Sequence, residues 1–340
     1  MSEFADLLAA LRRGADLTRD EMRRAMEVLL ERNVDENDVA AFLLALKAKG
    51  ETVDEIVAAA LALRARVLPV AAPARAIDTC GTGGDGADTF NISTAAAFIV
   101  AGCGVPVAKH GNRSASSRSG SSDVLAALGV RIDAPPAVIA RCIREANIGF
   151  MYAAAHHPAV AHVAAVRRRL GVRTLFNLLG PLANPAGARR QLMGVYDAAL
   201  TAPLARALAA LGAERAWVVC GGDGLDELTT TGESIVSETR DGAVRSFIIA
   251  PEDAGLSRVA PSALKGGDPA DNARALRDLL DGAPGPYRDI ALFNAAAALL
   301  VAGAADTLIE GVALGVAAID GGAAGAALER LVALSNETAP

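Results

Sequence analysis

Three clusters of residues have types and spacing that could do chemistry together. The first, AIDTCGTGGDGADTFNIST (residues 76–94), sets four glycines and the aspartates Asp78, Asp85 and Asp88 before an apolar run and contains no cation. Glycine-rich turns ahead of a helix offer open backbone amides to phosphate, yet three carboxylates repel it. The second, KHGNRSASSRSGSSD (109–123), collects Lys109, His110, Arg113 and Arg118 with six serines, Asn112 and two glycines. Cations, hydroxyls and amides in this mixture suit a multiply charged anion. The third, GGDGLDELTTTG (221–232), puts Asp226-Glu227 beside glycines. Acids aimed at a phosphate pocket are repulsive unless a divalent cation stands between, and Mg²⁺ commonly takes one or two carboxylates together with phosphate oxygens. The expected ligand is a phosphate ester that arrives with Mg²⁺.

Each cluster has a blander reading. Gly81-Thr82-Gly83-Gly84-Asp85-Gly86 fits GxGxxG, but a dinucleotide fold wants an acid about 20 residues further on. No Asp or Glu lies between Thr89 and Ser122. No Lys-Ser or Lys-Thr follows Gly86, which removes a P-loop. Taken alone, the loop could be a tight turn. The serine-rich loop follows VPVAK at the carboxyl end of an expected strand, where open α/β sheets bind ligands, and that outweighs a merely solvated loop. His156-His157 looks like a metal pair, but adjacent side chains on a helix diverge. Their place after GFMYAAA suits the lining of an acceptor pocket. His110 reads as shaping the same site rather than moving protons. The plain role of Arg167-Arg168-Arg169-Leu170 is to meet a helix C-terminal dipole. Cys80 reads as packing. The sequence offers no Ser-His-Asp triad and no HExxH.

The elements that must position these clusters follow from periodicity. Residues 3–68 read as four helices, with capping boxes at Thr18-x-x-Glu21 and Thr52-x-x-Glu55, a stop at Gly50 and Pro69 after the last helix. VLPVAAPARA (67–76) marks a change of composition. Beyond it, short apolar runs alternate with helical ones. AIDTC, VPVAK, GFMYAAA, QLMGVYD and AWVVC read as strands, and NISTAAAFIVAGC, SSDVLAALG, PAVIARCIREAN, AVAHVAAVRRRLG and APLARALAALG as helices. Such alternation predicts an α/β fold with a mostly parallel sheet. Asp241-Gly242 between two alternating runs predicts a hairpin, hence at least one antiparallel strand. The tail from Pro269 reads as helical.

Composition sets outer limits. The 340 residues are 52% hydrophobic, enough for a large core. A formal net charge of −6 excludes a general polyanion field, so no nucleic acid is expected as a partner and phosphate must be held locally. Cys80, Cys103, Cys142 and Cys220 are scattered with no CxxC, which predicts reduced thiols. The first residues form an amphipathic helix rather than a signal peptide. The most apolar stretch, 290–305, is bounded by Asp289 and Asp306 and falls short of a membrane span. A soluble cytoplasmic protein is expected.

GTGGDG, NIST, KHGNRSASS, RTLFNLLGPLANP (173–185) and GLDELTTTG, in this order, closely resemble the anthranilate phosphoribosyltransferase family. The resemblance covers nearly the whole chain. It implies the fold shared with pyrimidine nucleoside phosphorylases: a small N-terminal all-helical domain (1–70, joined by a segment near 170–190) and a larger α/β domain (71–340). A homodimer through the helical parts is implied as well. So is the reaction, transfer of the 5-phosphoribosyl group from phosphoribosyl pyrophosphate (PRPP) to the amino group of anthranilate in tryptophan biosynthesis, with two Mg²⁺ ions per protomer. By the same resemblance Gly81, Gly84, Asp85 and Thr89 lie on the diphosphate and ribose side, and Asn91, Ile92, Ser93 and Thr94 hold phosphate. Lys109, His110, Gly111, Asn112, Arg113, Ser114, Ala115, Ser116, Ser117 and Ser121 wrap the phosphoribosyl group. Ser93, Asp226 and Glu227 hold magnesium. Gly81, Asn112 and Arg167 match the anthranilate contacts, with Arg168, Arg169 and Arg173 as rivals for the last. No general base is assigned; Asp85 and His110 are candidates for electrostatic help.

The residues fit this chemistry independently. Displacing pyrophosphate from an anomeric carbon builds negative charge on the leaving group, which a cation and oriented dipoles stabilise. Two rivals stand beside it: a pyrimidine nucleoside phosphorylase, whose loop should not read KHGNR, and a non-enzymatic nucleic-acid-binding relative, which would need a basic groove.

Overall fold

The structure is a computed structural model that describes residues 3–31, 34–113 and 118–337. The first four helices are α1 (Glu3–Arg12), α2 (Arg19–Leu29), α3 (Glu36–Lys49) and α4 (Val53–Arg64). Both expected capping boxes form. The Thr18 and Thr52 hydroxyls accept from the amides of Glu21 and Glu55, whose carboxylates accept from the threonine amides in return. Glu55 is fully buried because it does more than cap. Its second oxygen accepts from the Leu17 amide at 2.9 Å, and Lys49 donates to its carboxylate at 2.9 Å. One carboxylate thereby joins the entry of α2 to the start of α4. The apolar faces of these helices then close over Met22, Met26, Phe42 and Leu46, all buried.

The rest of the chain runs β1 (Ile77–Gly81), α5 (Ile92–Gly102), β2 (Val107–Gly111), α6 (Ser121–Ala127), α7 (Pro136–Glu145), β3 (Ile148–Tyr152), α8 (Ala153–His156), α9 (Ala161–Leu170), α10 (Phe176–Leu182) and β4 (Arg190–Gly194). It continues through α11 (Thr201–Ala210), β5 (Arg215–Gly221), β6 (Ser234–Arg240), β7 (Ala243–Ile249), α12 (Pro269–Leu280), α13 (Pro286–Ala302), α14 (Leu308–Asp320) and α15 (Ala323–Asn336). Seven strands form one sheet in the order β3-β2-β1-β4-β5-β6-β7. The first five are parallel, and β6 and β7 are antiparallel. Asp241 (φ 51°) and Gly242 (φ 80°) make the expected two-residue turn, because both left-handed positions match the twist of a hairpin.

Strand alternation divides the core. Leu192, Trp217 and Val219 face the cluster built on α5, α13 and α15, whereas Met193, Val218 and Cys220 face the one that includes α1–α4. Val163 and Val166 of α9 and Leu178 and Leu179 of α10 belong to the second cluster, so the segment between β3 and β4 packs with the N-terminal helices. Arg64 fastens the two parts, donating to the carbonyls of Leu182 (2.7 Å) and Leu211 (3.1 Å) at the ends of α10 and α11.

One local expectation needs correcting, and one element goes unannounced. GFMYAAA is a strand only to Tyr152; its alanines wind into the four-residue α8, as their helix propensity favours once no neighbouring strand pairs with them. RTLFNLLGPLANP, to which periodicity assigns no element, contains α10 with Pro181 inside it. A short helix interrupted by proline gives little periodic signal. Among the described residues, no single helix is long and apolar enough to cross a membrane.

Candidate active site

From β1 the chain moves outward to β2 and β3, then returns to β4 and β5 on the other side. The carboxyl ends of β1 and β4 therefore flank the point where strand order reverses, with Gly81 opposite Gly194. Ligands of open α/β sheets bind at such a point. The loop after β5 curls back across it. A side-chain carbon on Gly194 would fall 1.5 Å from the Asp226 carbonyl oxygen, and one on Gly81 would fall 2.3 Å from the Asp226 carboxylate. These glycines leave the room in which the acid pair sits. The Gly83 amide donates to Asp226 Oδ2 at 2.7 Å, and the Ser93 amide at the start of α5 donates to Glu227 Oε1 at 2.9 Å. Three segments far apart in sequence thus meet at Asp226-Glu227.

Burial dominates the electrostatics there. It pushes the Asp226 carboxyl well above its ordinary range, and the charges of Asp85 and Glu227 push it further. Glu227 is pushed up to about 7, again first by burial and against the pull of Lys109. Lys109, 2% exposed, donates to the Thr79 carbonyl and to Ser93 Oγ (3.3 Å). Its own proton affinity is lowered by burial and supported by Asp78. One buried ammonium thus faces several carboxylates.

The three aspartates of the first cluster have separate surroundings. Asp78 lies beneath the site with no exposure and accepts from the His110 amide (3.1 Å) and Asn184 Nδ2 (2.8 Å). Asp85 stays in the glycine loop, accepting from the Ala87 amide at 3.2 Å and raising the proton affinity of Asp226. Asp88, at φ 50°, accepts from the Arg118 amide at 3.2 Å, and its carbonyl accepts from Gly266 at 2.8 Å. A strap before α12 holds that part of the loop. Lys265 bridges Thr89 and donates to the Ala87 carbonyl, and Asn272 donates to Asn91 Oδ1 at 3.0 Å. Asn91 precedes α5 without capping it by its side chain and instead donates to the Ser119 carbonyl at 3.1 Å. Ile92 and Thr94 point into the core, Thr94 with its hydroxyl unpartnered.

The serine-rich loop starts at Gly111, where a side chain would strike Ser121 Oγ (2.3 Å) and Phe150 (2.7 Å). The loop returns so that Ser121 Oγ donates to the Asn112 carbonyl at 3.3 Å. Arg113 is exposed, 3.8 Å from Asp123. Ser114, Ala115, Ser116 and Ser117 lie outside the described residues.

A second, less charged group gathers around α10. His110 Nδ1 lies 3.0 Å from the Gly180 carbonyl, so Nδ1 carries the hydrogen and Nε2 is left buried and unpartnered. Burial lowers the imidazole to about 3, so it is neutral at physiological pH. One turn earlier on α10, Asn177 Oδ1 accepts from Arg167 at 3.3 Å, and the Arg167 guanidinium lies 5.7 Å from the centre of the Phe176 ring. Arg167 Nε is buried without a partner. The rival arginines are disposed otherwise. Arg168 is exposed, Arg169 pairs with Glu36 at 2.7 Å, and Arg173 stacks 3.8 Å over Tyr196 while donating to the Gly84 carbonyl. His157 stands 5.1 Å from the His110 ring, and His156 Nδ1 contacts the Leu68 carbonyl at 2.8 Å. The two histidines do diverge. Among the described residues, no three His, Cys, Asp or Glu side chains gather as a metal site. Asn184, Gln191, Lys265 and Asn272 carry no signal of a role in the sequence, and Asp78 carries none beyond its negative charge. Asp78 and Asn184 fall inside quoted motifs, but nothing in their spacing distinguishes a buried polar hub from a ligand contact.

Two family models match the chain: the glycosyl transferase family helical bundle domain over residues 5–67 and the glycosyl transferase family a/b domain over residues 73–325. The class is a two-part glycosyltransferase. Anthranilate phosphoribosyltransferase of Methylobacterium nodulans is 57% identical over 336 residues, covering 99% of this chain and 100% of that protein. The crystal structure of anthranilate phosphoribosyltransferase from Thermus thermophilus superposes with a TM-score of 0.92 at 44% identity, over 98% of this chain and 100% of that one. The Saccharomyces cerevisiae enzyme in complex with PRPP and Mg superposes at 0.87 with 28% identity, over 97% and 98% of the two chains. The same enzyme with 4-fluoroanthranilate superposes at 0.86 with 26% identity, over 98% of each. The chain belongs to the anthranilate phosphoribosyltransferase family.

Proposed function

We infer that the protein transfers the 5-phosphoribosyl group of PRPP to the amino group of anthranilate, giving N-(5-phosphoribosyl)anthranilate and pyrophosphate in tryptophan biosynthesis. Family membership over the full chain supports this reading. The observation that carries it is the meeting of Asp226, Glu227, Ser93 and Lys109 at the sheet's switch point. An all-oxygen set of a buried carboxylate (Glu227), a half-buried one (Asp226) and a hydroxyl fits Mg²⁺, a hard cation, and the raised proton affinities of the two acids mark the charge they lack. Asp226, Glu227 and Ser93 would hold magnesium, in keeping with the PRPP and Mg complex of the yeast relative; on this reading there are two ions per protomer. Magnesium supplies neutralisation of the diphosphate charge that grows as the glycosidic bond breaks.

This chain's own groups do the rest. Gly81, Gly84, Asp85 and Thr89 border the diphosphate and ribose, Asn91–Thr94 hold phosphate, and residues 109–117 with Ser121 wrap the phosphoribosyl group. Lys109, whose proton affinity is lowered by burial and supported by Asp78, stands beneath it. Anthranilate is received by Gly81, Asn112 and Arg167, and the unpartnered Arg167 Nε–H is a donor suited to its carboxylate. The aromatic amine is already unprotonated at neutral pH, so no strong base is required. Asp85 and neutral His110 act electrostatically. The chain divides near residue 70 into a helical domain and an α/β domain. It forms a homodimer through the helical parts, where Leu44 and Leu61 are exposed apolar residues. It works in the cytoplasm, where four free thiols stay reduced.

The test is incubation with anthranilate, PRPP and Mg²⁺. The expected products are phosphoribosyl anthranilate and pyrophosphate in equal amounts. Phosphorolysis of pyrimidine nucleosides without that product would establish the rival enzyme, although no observation here favours it.

A further inference from the structure

The last carbonyls of α10 are held by side chains from three different elements. Gly180 accepts from His110 Nδ1 of β2 (3.0 Å), Pro181 from Gln191 Nε2 of β4 (2.7 Å) and Leu182 from Arg64 Nε of α4 (2.7 Å). Helix ends leave such carbonyls without intrahelical partners, so their outside donors decide where the helix sits. Two of these three donors lead to one buried group. Asp78 accepts from the His110 backbone amide at 3.1 Å, and Gln191 Nε2 reaches it at 3.5 Å. Asn184, just beyond α10, donates to Asp78 Oδ2 (2.8 Å) and to the Ala108 carbonyl of β2 (2.9 Å). The nitrogen groups meeting Asp78 all donate, which an ionised carboxylate accepts and a carboxamide cannot fully replace. A fully buried acid with no direct ion pair is costly to keep for stability alone.

We propose that Asp78 is a positioning residue for acceptor recognition: it fixes the end of α10 against β1, β2 and β4, and so aligns His110 with Arg167, which α10 holds through Asn177. This rests on the assignment of anthranilate to the Arg167 side. Its hydrogen bonds run to the acceptor half, while its charge also supports Lys109, which contacts Thr79 and Ser93. The variants that separate the two roles are therefore Gln191→Leu and Asn184→Ala, which keep that charge.

Asp78→Asn sets an amide against the donors of Asn184 and Gln191, and Gln191→Leu removes the tie to Pro181. Each should raise the anthranilate KM about fivefold or more, and in Gln191→Leu, which keeps the Asp78 charge beside Lys109, the PRPP KM should stay within about twofold. The double variant should raise it by less than the product of the single effects, since both break one network. Hydrogen exchange at residues 178–183 of the substrate-free protein should speed up in both. Should Asp78→Asn fail to fold, Gln191→Leu and Asn184→Ala carry the same comparison. Unchanged KM values, or a PRPP KM that rises in Gln191→Leu or Asn184→Ala as much as the anthranilate KM, would overturn the inference. Wild-type protein that makes no phosphoribosyl anthranilate would instead overturn the reaction assignment, and the exchange measurement would still report on the network.

Discussion

The two halves of the site are built by different means. Around Asp226 and Glu227 the groups are charged, dense and carried by loops at three strand ends, and their proton affinities are strongly displaced by burial. Around α10 the groups are a neutral histidine, an arginine with one free donor and a row of helix carbonyls. The first half owes its strength to like charges forced together until a cation separates them. The second owes its geometry to hydrogen bonds that fix a short, proline-bearing helix. Substitutions should therefore act through charge in one half and through alignment in the other.

The largest effect should come from the acid pair. Asp226→Asn combined with Glu227→Gln removes two negative charges near a phosphate site, which would help anion binding were no metal involved. Activity should instead fall by about a hundredfold or more, and the Mg²⁺ concentration needed should rise. Thermal unfolding of the metal-free variant should come no earlier than in wild type, because the site resists ionisation of both acids. Unchanged magnesium dependence would remove the pair from the metal site.

A smaller effect follows from pH. Glu227 is raised to about 7 in the metal-free protein, so it must lose its proton when magnesium binds. As pH falls through that value, the apparent Mg²⁺ affinity should weaken, approaching about tenfold per pH unit per proton displaced. Titrating Mg²⁺ against activity at saturating PRPP between pH 6 and pH 8 (about two units, chosen to bracket the group) checks this. An affinity independent of pH there would mean that Glu227 does not meet the metal. The smallest effect serves as a boundary: Thr18→Ala removes the exposed cap of α2 and should cost about 1 kcal/mol of stability. Both KM values should stay put, because Thr18 lies at the opposite end of α2 from Leu29, whose carbonyl meets His162 of α9 at 2.7 Å; a shift in either would show that loosening this cap carries through α2 to α9.

The charged half was the legible one. Gly81, Lys109, Asp226 and Glu227 announce themselves by residue type, and placing their motifs at strand ends needed only alternating periodicity. The four N-terminal helices were equally plain, since Thr18-Glu21 and Thr52-Glu55 are local signals. The α10 half was not. Its work is done by backbone carbonyls of Gly180, Pro181 and Leu182, which no side-chain pattern reveals, and by Asn184 and Gln191, ordinary polar residues until the fold buries them. The Asp226 loop also explains Gly81 and Gly194 in a way that their spacing could not: they make room for another part of the chain.

The division of labour is tested most directly by two-substrate kinetics of Arg167→Ala. A guanidinium meeting a carboxylate by charge-assisted hydrogen bonds contributes roughly 1.5–3 kcal/mol per bond when shielded. The anthranilate KM should therefore rise at least about tenfold, since about 1.4 kcal/mol is one factor of ten. The PRPP KM should move far less, because the proposed function gives that substrate to Lys109, the serine-rich loop and magnesium instead. If both KM values rose together, or neither moved, Arg167 would not be the acceptor's anchor, and Arg168, Arg169 and Arg173 would have to be tested in its place.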